Sequence, residues 1–111
     1  MTRGTTPTLT FSFGDDVDMS LIDYAEMTIN QKGKNRIIKK LTKDTEQNLF
    51  SVFLSEKETL SLDSGICKLQ VKIKLTDGGI VASSIETLSV NEILNGGVML
   101  WICKVIISHW N

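Results

Sequence analysis

The strict alternation between Lys68 and Leu75 constrains this 111-residue chain more than any other feature. Leu69, Val71, Ile73 and Leu75 interleave with Lys68, Gln70, Lys72 and Lys74. A β-strand sends successive side chains to opposite faces, so it places the apolar set on one side and the solvated set on the other. Thr76-Asp77-Gly78-Gly79 follows, and its Asp-Gly pair supplies the positive φ that a tight β-turn demands. The return segment, Ile80 to Val90, is apolar and β-branched but loses phase, which a bulge near Ser83 and Ser84 accounts for. Lys68 to Leu88 is therefore a hairpin whose register the rest of the fold must accommodate.

Other stretches agree with a β fold. Leu9, Phe11 and Phe13 alternate with Thr8, Thr10 and Ser12, a first strand ended by Gly14. The following loop holds Asp15, Asp16 and Asp18 and reads as a solvated turn, because it lacks the ladder, Gly and closing Glu of a calcium loop. From Ile22 to Gln31, Ala25, Met27 and Ile29 share a core-facing side opposite Tyr24, Glu26, Thr28 and Asn30. Lys32-Gly33-Lys34-Asn35 turns the chain into Arg36 to Leu41, so 22–41 reads as a second hairpin. Thr42 to Asn48 reads as a loop. Leu49 to Leu54 is a strand with bulk on both faces, as in a central or covered strand. Ser55 and Glu58 have capping-box spacing, which predicts one or two helical turns from Glu56 to about Leu60, with Leu60 and Leu62 closing the core. Asn91 to Leu94 reads as a further short helical turn before Asn95-Gly96-Gly97.

At 111 residues and 12.3 kDa the chain has room for one core and not for two. The expected architecture is all-β: a small antiparallel β-sandwich of six or seven strands with an immunoglobulin-like layout and one short helical turn. Its core would hold Leu9, Phe11, Phe13, Met27, Ile29, Phe50, Val52, Leu69, Val71, Ile73 and Ile85. Residues 1–97 form this domain and 98–111 an apolar C-terminal extension. Nine of the ten residues from Val98 to Ile107 are apolar, with Lys104 the exception. That is about half the length of a membrane-spanning helix. The extension is thus a last strand, a tail buried against a partner or second copy, or a segment with little part in the fold. Trp101 and Trp110 lie in it, outside the expected core.

Composition narrows the chemistry. A net charge of -1 creates no general attraction to nucleic acid or anionic lipid. Lys32, Lys34, Arg36, Lys39, Lys40 and Lys43 form a local basic run without an acid among them. It lacks the interleaved aromatics of a nucleic-acid surface, and lysines on an exposed strand discourage edge pairing. Nucleic acid and membrane are accordingly not expected partners. The single histidine, His109, lies in the C-terminal extension, so no Ser-His-Asp or Cys-His constellation forms within the domain. Cys67 and Cys103 are two thiols at apolar positions without Cys-x-x-Cys spacing, and no phosphate-binding glycine pattern occurs. Glu58 is explained by capping before acid–base work. No enzyme, catalytic residue, metal or cofactor is expected. The N-terminal residues contain no apolar h-region, so a cytoplasmic start is expected rather than secretion.

Arg3-Gly4-Thr5-Thr6-Pro7-Thr8 followed by an alternating strand resembles short proteins encoded among the structural genes of phages and prophages of Gram-positive bacteria. So do Leu54-Ser55-Glu56-Lys57-Glu58-Thr59-Leu60, Thr76-Asp77-Gly78-Gly79 and Ala82-Ser83-Ser84. The resemblance runs from Arg3 to about Leu94; members of that group usually end soon after the return strand, so the apolar extension is a departure. What it implies is a non-enzymatic, virion-associated structural or assembly module of the tail or baseplate region, made in the host cytoplasm and carried into the virion. Its partners would be other tail or baseplate proteins, or a second copy. The alternatives are a small intracellular phage-encoded protein that inhibits a host or defence protein, and attachment to a membrane surface through the extension. The candidate interaction surface comprises the basic run 32–43, namely Lys32, Lys34, Arg36, Lys39, Lys40 and Lys43, with Leu100, Trp101, Ile102 and Trp110 of the extension.

Overall fold

The computed structural model describes residues 1–12 and 18–92, and the backbone of 102–106. Nine strands and one short helix follow in chain order: β1 (Thr8–Ser12), β2 (Ile22–Gln31), β3 (Lys34–Lys40), β4 (Thr42–Asp44), β5 (Leu49–Phe53), α1 (Glu56–Leu60), β6 (Gly65–Leu75), β7 (Ile80–Ala82), β8 (Glu86–Val90) and β9 (Ile102–Ile106). A 3-10 turn at Met19–Leu21 precedes β2, its first amide region capped by the Asp18 carboxylate. The strands form two sheets, one ordered β4-β5-β1-β9 and the other β3-β2-β6-β7, with β8 pairing the first half of β6. All pairs are antiparallel except β1 with β9.

The two sheets bury one core between them. Leu9 and Phe11 of β1 and Phe50 and Val52 of β5 meet Ala25, Met27 and Ile29 of β2 and Cys67, Leu69, Val71 and Ile73 of β6. Each set occupies alternate positions of its strand, so the period-two pattern in the sequence is the inside–outside pattern of the sandwich. The protein is all-β, a two-sheet sandwich with one short helix.

Among the described residues strands number nine rather than six or seven, for definite reasons. Thr42–Asp44, expected as loop, pairs with β5, and the chain returns through Asn48 in a left-handed conformation (φ 57°). The expected return strand 80–90 is split in two. Ser83, fully buried, donates its amide to Val71 O (2.8 Å), while its own hydroxyl accepts from the Val71 amide (3.0 Å). A side chain thus takes one place in the backbone ladder and the phase shifts by a residue. That shift turns Ile85, expected in the core, out to 60% exposure. Leu60 is likewise exposed, and Leu62 alone of the two plugs the end of the core. Phe13, Asp15 and Asp16 lie outside the described residues, as do Ile93 and Leu94 of the expected helical turn at 91–94, whose Asn91 bridges to Thr2.

Turn chemistry is distributed differently from expectation. The tight two-residue turn with positive φ at both centres is Lys32-Gly33 (54° and 77°), between Gln31 and Lys34. At 76–79 only Gly78 is left-handed (92°), and the Asp77 carboxylate secures the turn by accepting from the Gly79 amide at 2.7 Å.

Candidate interaction surface

The basic run is not an open patch, because most of its cations are engaged by residues remote in sequence. Lys39 Nζ donates to the Phe53 carbonyl (2.7 Å) and to Glu58 Oε1 (2.9 Å). Lys32 pairs with Asp63 at 3.1 Å, and Arg36 approaches the same carboxylate at 3.9 Å. Lys43 Nζ donates to the Ile22 carbonyl (3.1 Å). Lys40 stands 4.7 Å from the centre of the Tyr24 ring. Lys34 alone of the six has no such partner among the described residues. Reading the run for acids within itself misses these pairs, since the acids come from α1 and the loop before β6. Leu100, Trp101 and Trp110 lie outside the described residues, and of Ile102 only the backbone, opening β9, is described.

The Lys32, Arg36 and Lys39 contacts belong to one heavily bonded end of the sandwich, whereas Lys43 and Lys40 engage Ile22 and Tyr24 at the opposite end of β2. Gln31, almost fully buried, donates to Asp63 O and accepts from the Asp63 amide, both at 2.7 Å. Ser55 and Glu58 form the expected capping box. Burial acts to raise the Glu58 pKa, but the Ser55 amide, the Lys39 ammonium and the Ser55 hydroxyl outweigh it and hold the carboxyl below its ordinary value. The Asp63 carboxyl is held low as well, chiefly by the hydrogen bond and charge of Lys32. Arg3-Gly4-Thr5-Thr6-Pro7 crosses this end. The Arg3 guanidinium donates to the carbonyls of Leu60, the last residue of α1, and of Leu62 beyond it, and pairs with Glu92 at 2.8 Å. Thr59, fully buried, donates its hydroxyl to Thr5 O at 2.7 Å. Cys67, buried beside this end, is a free thiol whose pKa burial raises.

The outer face of the larger sheet is different in kind. Across β2 and β6 its rungs are Asn30 with Lys68, Thr28 with Gln70, Glu26 with Lys72 and Tyr24 with Lys74. β3 extends them with Asn35, Ile38 and Lys40. Ile85, displaced outward by the Ser83 irregularity, forms the opposite wall, and a shallow groove of about 450 Å3 runs between them. Ile85, which lines it, is more than half exposed, as are Ile38 beside Thr28 and Ile80 beside Lys74 elsewhere on the sheet. Lys68 and Lys72 make no hydrogen bond or ion pair with other described side chains, although Glu26 lies across the strand from Lys72. Lys40 and Lys74 flank the Tyr24 ring at 4.7 and 6.0 Å. The face therefore offers four ammonium groups against one carboxylate and an isoleucine wall, while its amides are engaged: Gln70 donates to the Ser83 carbonyl (2.8 Å) and Asn30 to Asn35 (2.9 Å). The lysine alternation gave this face as solvated and the expected interaction surface did not include it, because the lateral walls depend on strand order and on the phase break.

No protein-family profile and no curated protein matches the chain. Among solved structures it is similar to CopC from Methylosinus trichosporium OB3b, at 16% identity over 68% of this chain and 71% of that one, with a TM-score of 0.48. The two-sheet fold rests on the strand pairing described above, independently of that likeness. Among the described residues no cluster of three or more His, Cys, Asp and Glu side chains is placed to hold a metal ion, and no helix is long and apolar enough to cross a membrane.

Proposed function

We propose that this chain is a non-enzymatic protein-binding module, an assembly component of a phage or prophage particle, and that the outer face of its larger sheet receives the partner. The observation that carries the reading is the contrast in use of polar groups. Among the described residues, Glu58, Asp63 and Asp18, the carboxyls whose pKa values depart from the ordinary, are all occupied in caps or clamps. Perturbed groups that mark catalytic sites elsewhere are here absorbed by architecture. The groups left over are Lys68, Lys72 and the isoleucines of the groove face, a mixture suited to a protein surface carrying acidic and apolar side chains. The phage context is supported by the resemblance carried by Arg3 to Thr8, 54–60 and 76–79.

Mass spectrometry of purified particles tests the setting, with this chain expected at stoichiometric abundance; its absence would remove the structural role and favour an intracellular inhibitor. Cross-linking within intact particles tests the face. Cross-links from Lys68 and Lys72 to another particle protein are expected, and links confined to Lys34 and Lys57 would move the contact elsewhere.

A further inference from the structure

The groove face has a repeat along its strands. Its first rung holds Asn35, Asn30 and Lys68, its second Ile38, Thr28 and Gln70, and its third Lys40, Glu26 and Lys72. Ile38 ends the second rung on β3, and Ile85 lines the groove across from it; both are more than half exposed. Along β6 the face therefore runs basic, apolar, basic. Successive side chains on one face of a strand lie about 6.6 Å apart, which sets the backbones of Lys68 and Lys72 about 13 Å apart. Gln70, between them, is held down by its bond to the Ser83 carbonyl (2.8 Å) and does not compete for an incoming charge. Glu26 is in register with both Lys40 and Lys72, yet among the described residues it closes an ion pair with neither.

We infer that the groove receives one extended acidic segment of a partner protein, with an apolar residue at its centre and a carboxylate two residues to either side. The inference rests on the groove reading and adds the chemistry of the occupant. Charge complementarity carries it: Lys40, Lys68, Lys72 and Lys74 stand on this face against Glu26 alone. Spacing sets the conformation, because an extended chain turns every second side chain to one side at the same step as the rungs. Carboxylates one helical turn apart are only about 6 Å from each other and fall short of the two lysine rungs. The isoleucines favour a peptide over a polyphosphate, which has no apolar side chain to bury against them. Glu26 stands where the second carboxylate arrives, so it opposes the segment by like charge.

Nuclear magnetic resonance titration of the full-length chain with a synthetic peptide centred on Glu-Thr-Val-Thr-Glu tests this, beside a control of the same composition centred on Val-Thr-Thr-Glu-Glu. The amides of Thr28, Gln70 and Lys72 are expected to shift with the first peptide, and its affinity to fall about tenfold between low salt and about 0.5 M salt. The control is expected to bind about fivefold more weakly, Glu26→Gln to strengthen binding about threefold, and Lys68→Gln with Lys72→Gln to abolish the shifts. Equal binding of the two peptides, or no shift at these amides with millimolar peptide, overturns the inference. A single-stranded oligonucleotide that shifts the same amides more strongly overturns it in favour of nucleic acid. Shifts that arise on concentrating the protein alone overturn it in favour of a second copy. Cross-links from Lys68 and Lys72 in particles judge the groove reading separately: if they persist while the peptide fails, that reading stands and only the extended acidic occupant is removed.

Discussion

The bonded end of the sandwich and the outer face of its larger sheet are built from similar residue types and use them in opposite ways. At the bonded end, Arg3, Lys32, Lys39, Gln31 and Thr59 each hold a backbone carbonyl or a carboxylate from a distant part of the chain. On the face, Lys68 and Lys72 hold none, and the Asn30 amide bonds only its rung neighbour Asn35, at 2.9 Å. The difference lies in burial and in the sequence distance that each contact closes. A polar group that leaves water must be matched or the fold loses free energy, so the bonded end is intolerant of change. A polar group that stays in water is free to be desolvated later by a partner.

The comparison is open to breakage in order of expected effect. Gln31→Ala removes both partners of the Asp63 backbone and leaves a buried gap, and urea unfolding is expected to show a loss of about 3 kcal/mol. Were Gln31→Ala within experimental error of the parent, the bonded end would not be the fold's fastening. Thr59→Val keeps the shape but removes the buried hydroxyl's hydrogen bonds to the Thr5 and Glu56 carbonyls, for about 1 to 2 kcal/mol by the same measurement. Ser55→Ala removes the helix cap and is expected to cost about 1 kcal/mol. By contrast, Lys68→Glu with Lys72→Glu is expected to change stability by no more than about 0.5 kcal/mol while abolishing cross-links to the particle partner. A double variant that unfolds the protein would show the face to be structural after all.

Acid titration sharpens the same contrast. The carboxyls of Glu58 and Asp63 are held below their ordinary values of 4.5 and 3.8, so the stability they contribute is complete above those values and is lost as pH falls through the lower folded ones. Thermal melts are thus expected to be flat with respect to these groups near neutral pH and to fall in acid. Glu58→Gln is expected to lower the neutral-pH melting temperature while flattening the acid limb. An acid limb identical to the parent's would remove Glu58 from the fastening.

Much of this was legible before any coordinates. Alternation identified the inward residues of β1, β2, β5 and β6, because a strand's two faces follow directly from residue order. The capping box at Ser55 and Glu58 was equally readable, since all its partners lie within one turn. Less could be read where contacts close long loops. The basic run looked unpaired because Glu58 and Asp63, which engage Lys39 and Lys32, lie 19 and 31 residues away. The break in phase near Ser83 and Ser84 was readable, but not that the Ser83 hydroxyl would occupy a rung there and leave Ile85 on the outer side.

What the residue order determined by itself is the β character, the inside and outside of each long strand and the start of the one helix, all set by periods of a few residues. Tertiary structure alone decided which strands became edges, which cations found carboxylates and which were left on the groove face. Those outcomes depend on sheet order, which a local pattern does not encode. The Lys68 to Leu75 alternation shows both sides of this: its apolar half was bound to be core, while its lysine half became a candidate surface only once β3 and Ile85 were placed on either side of it.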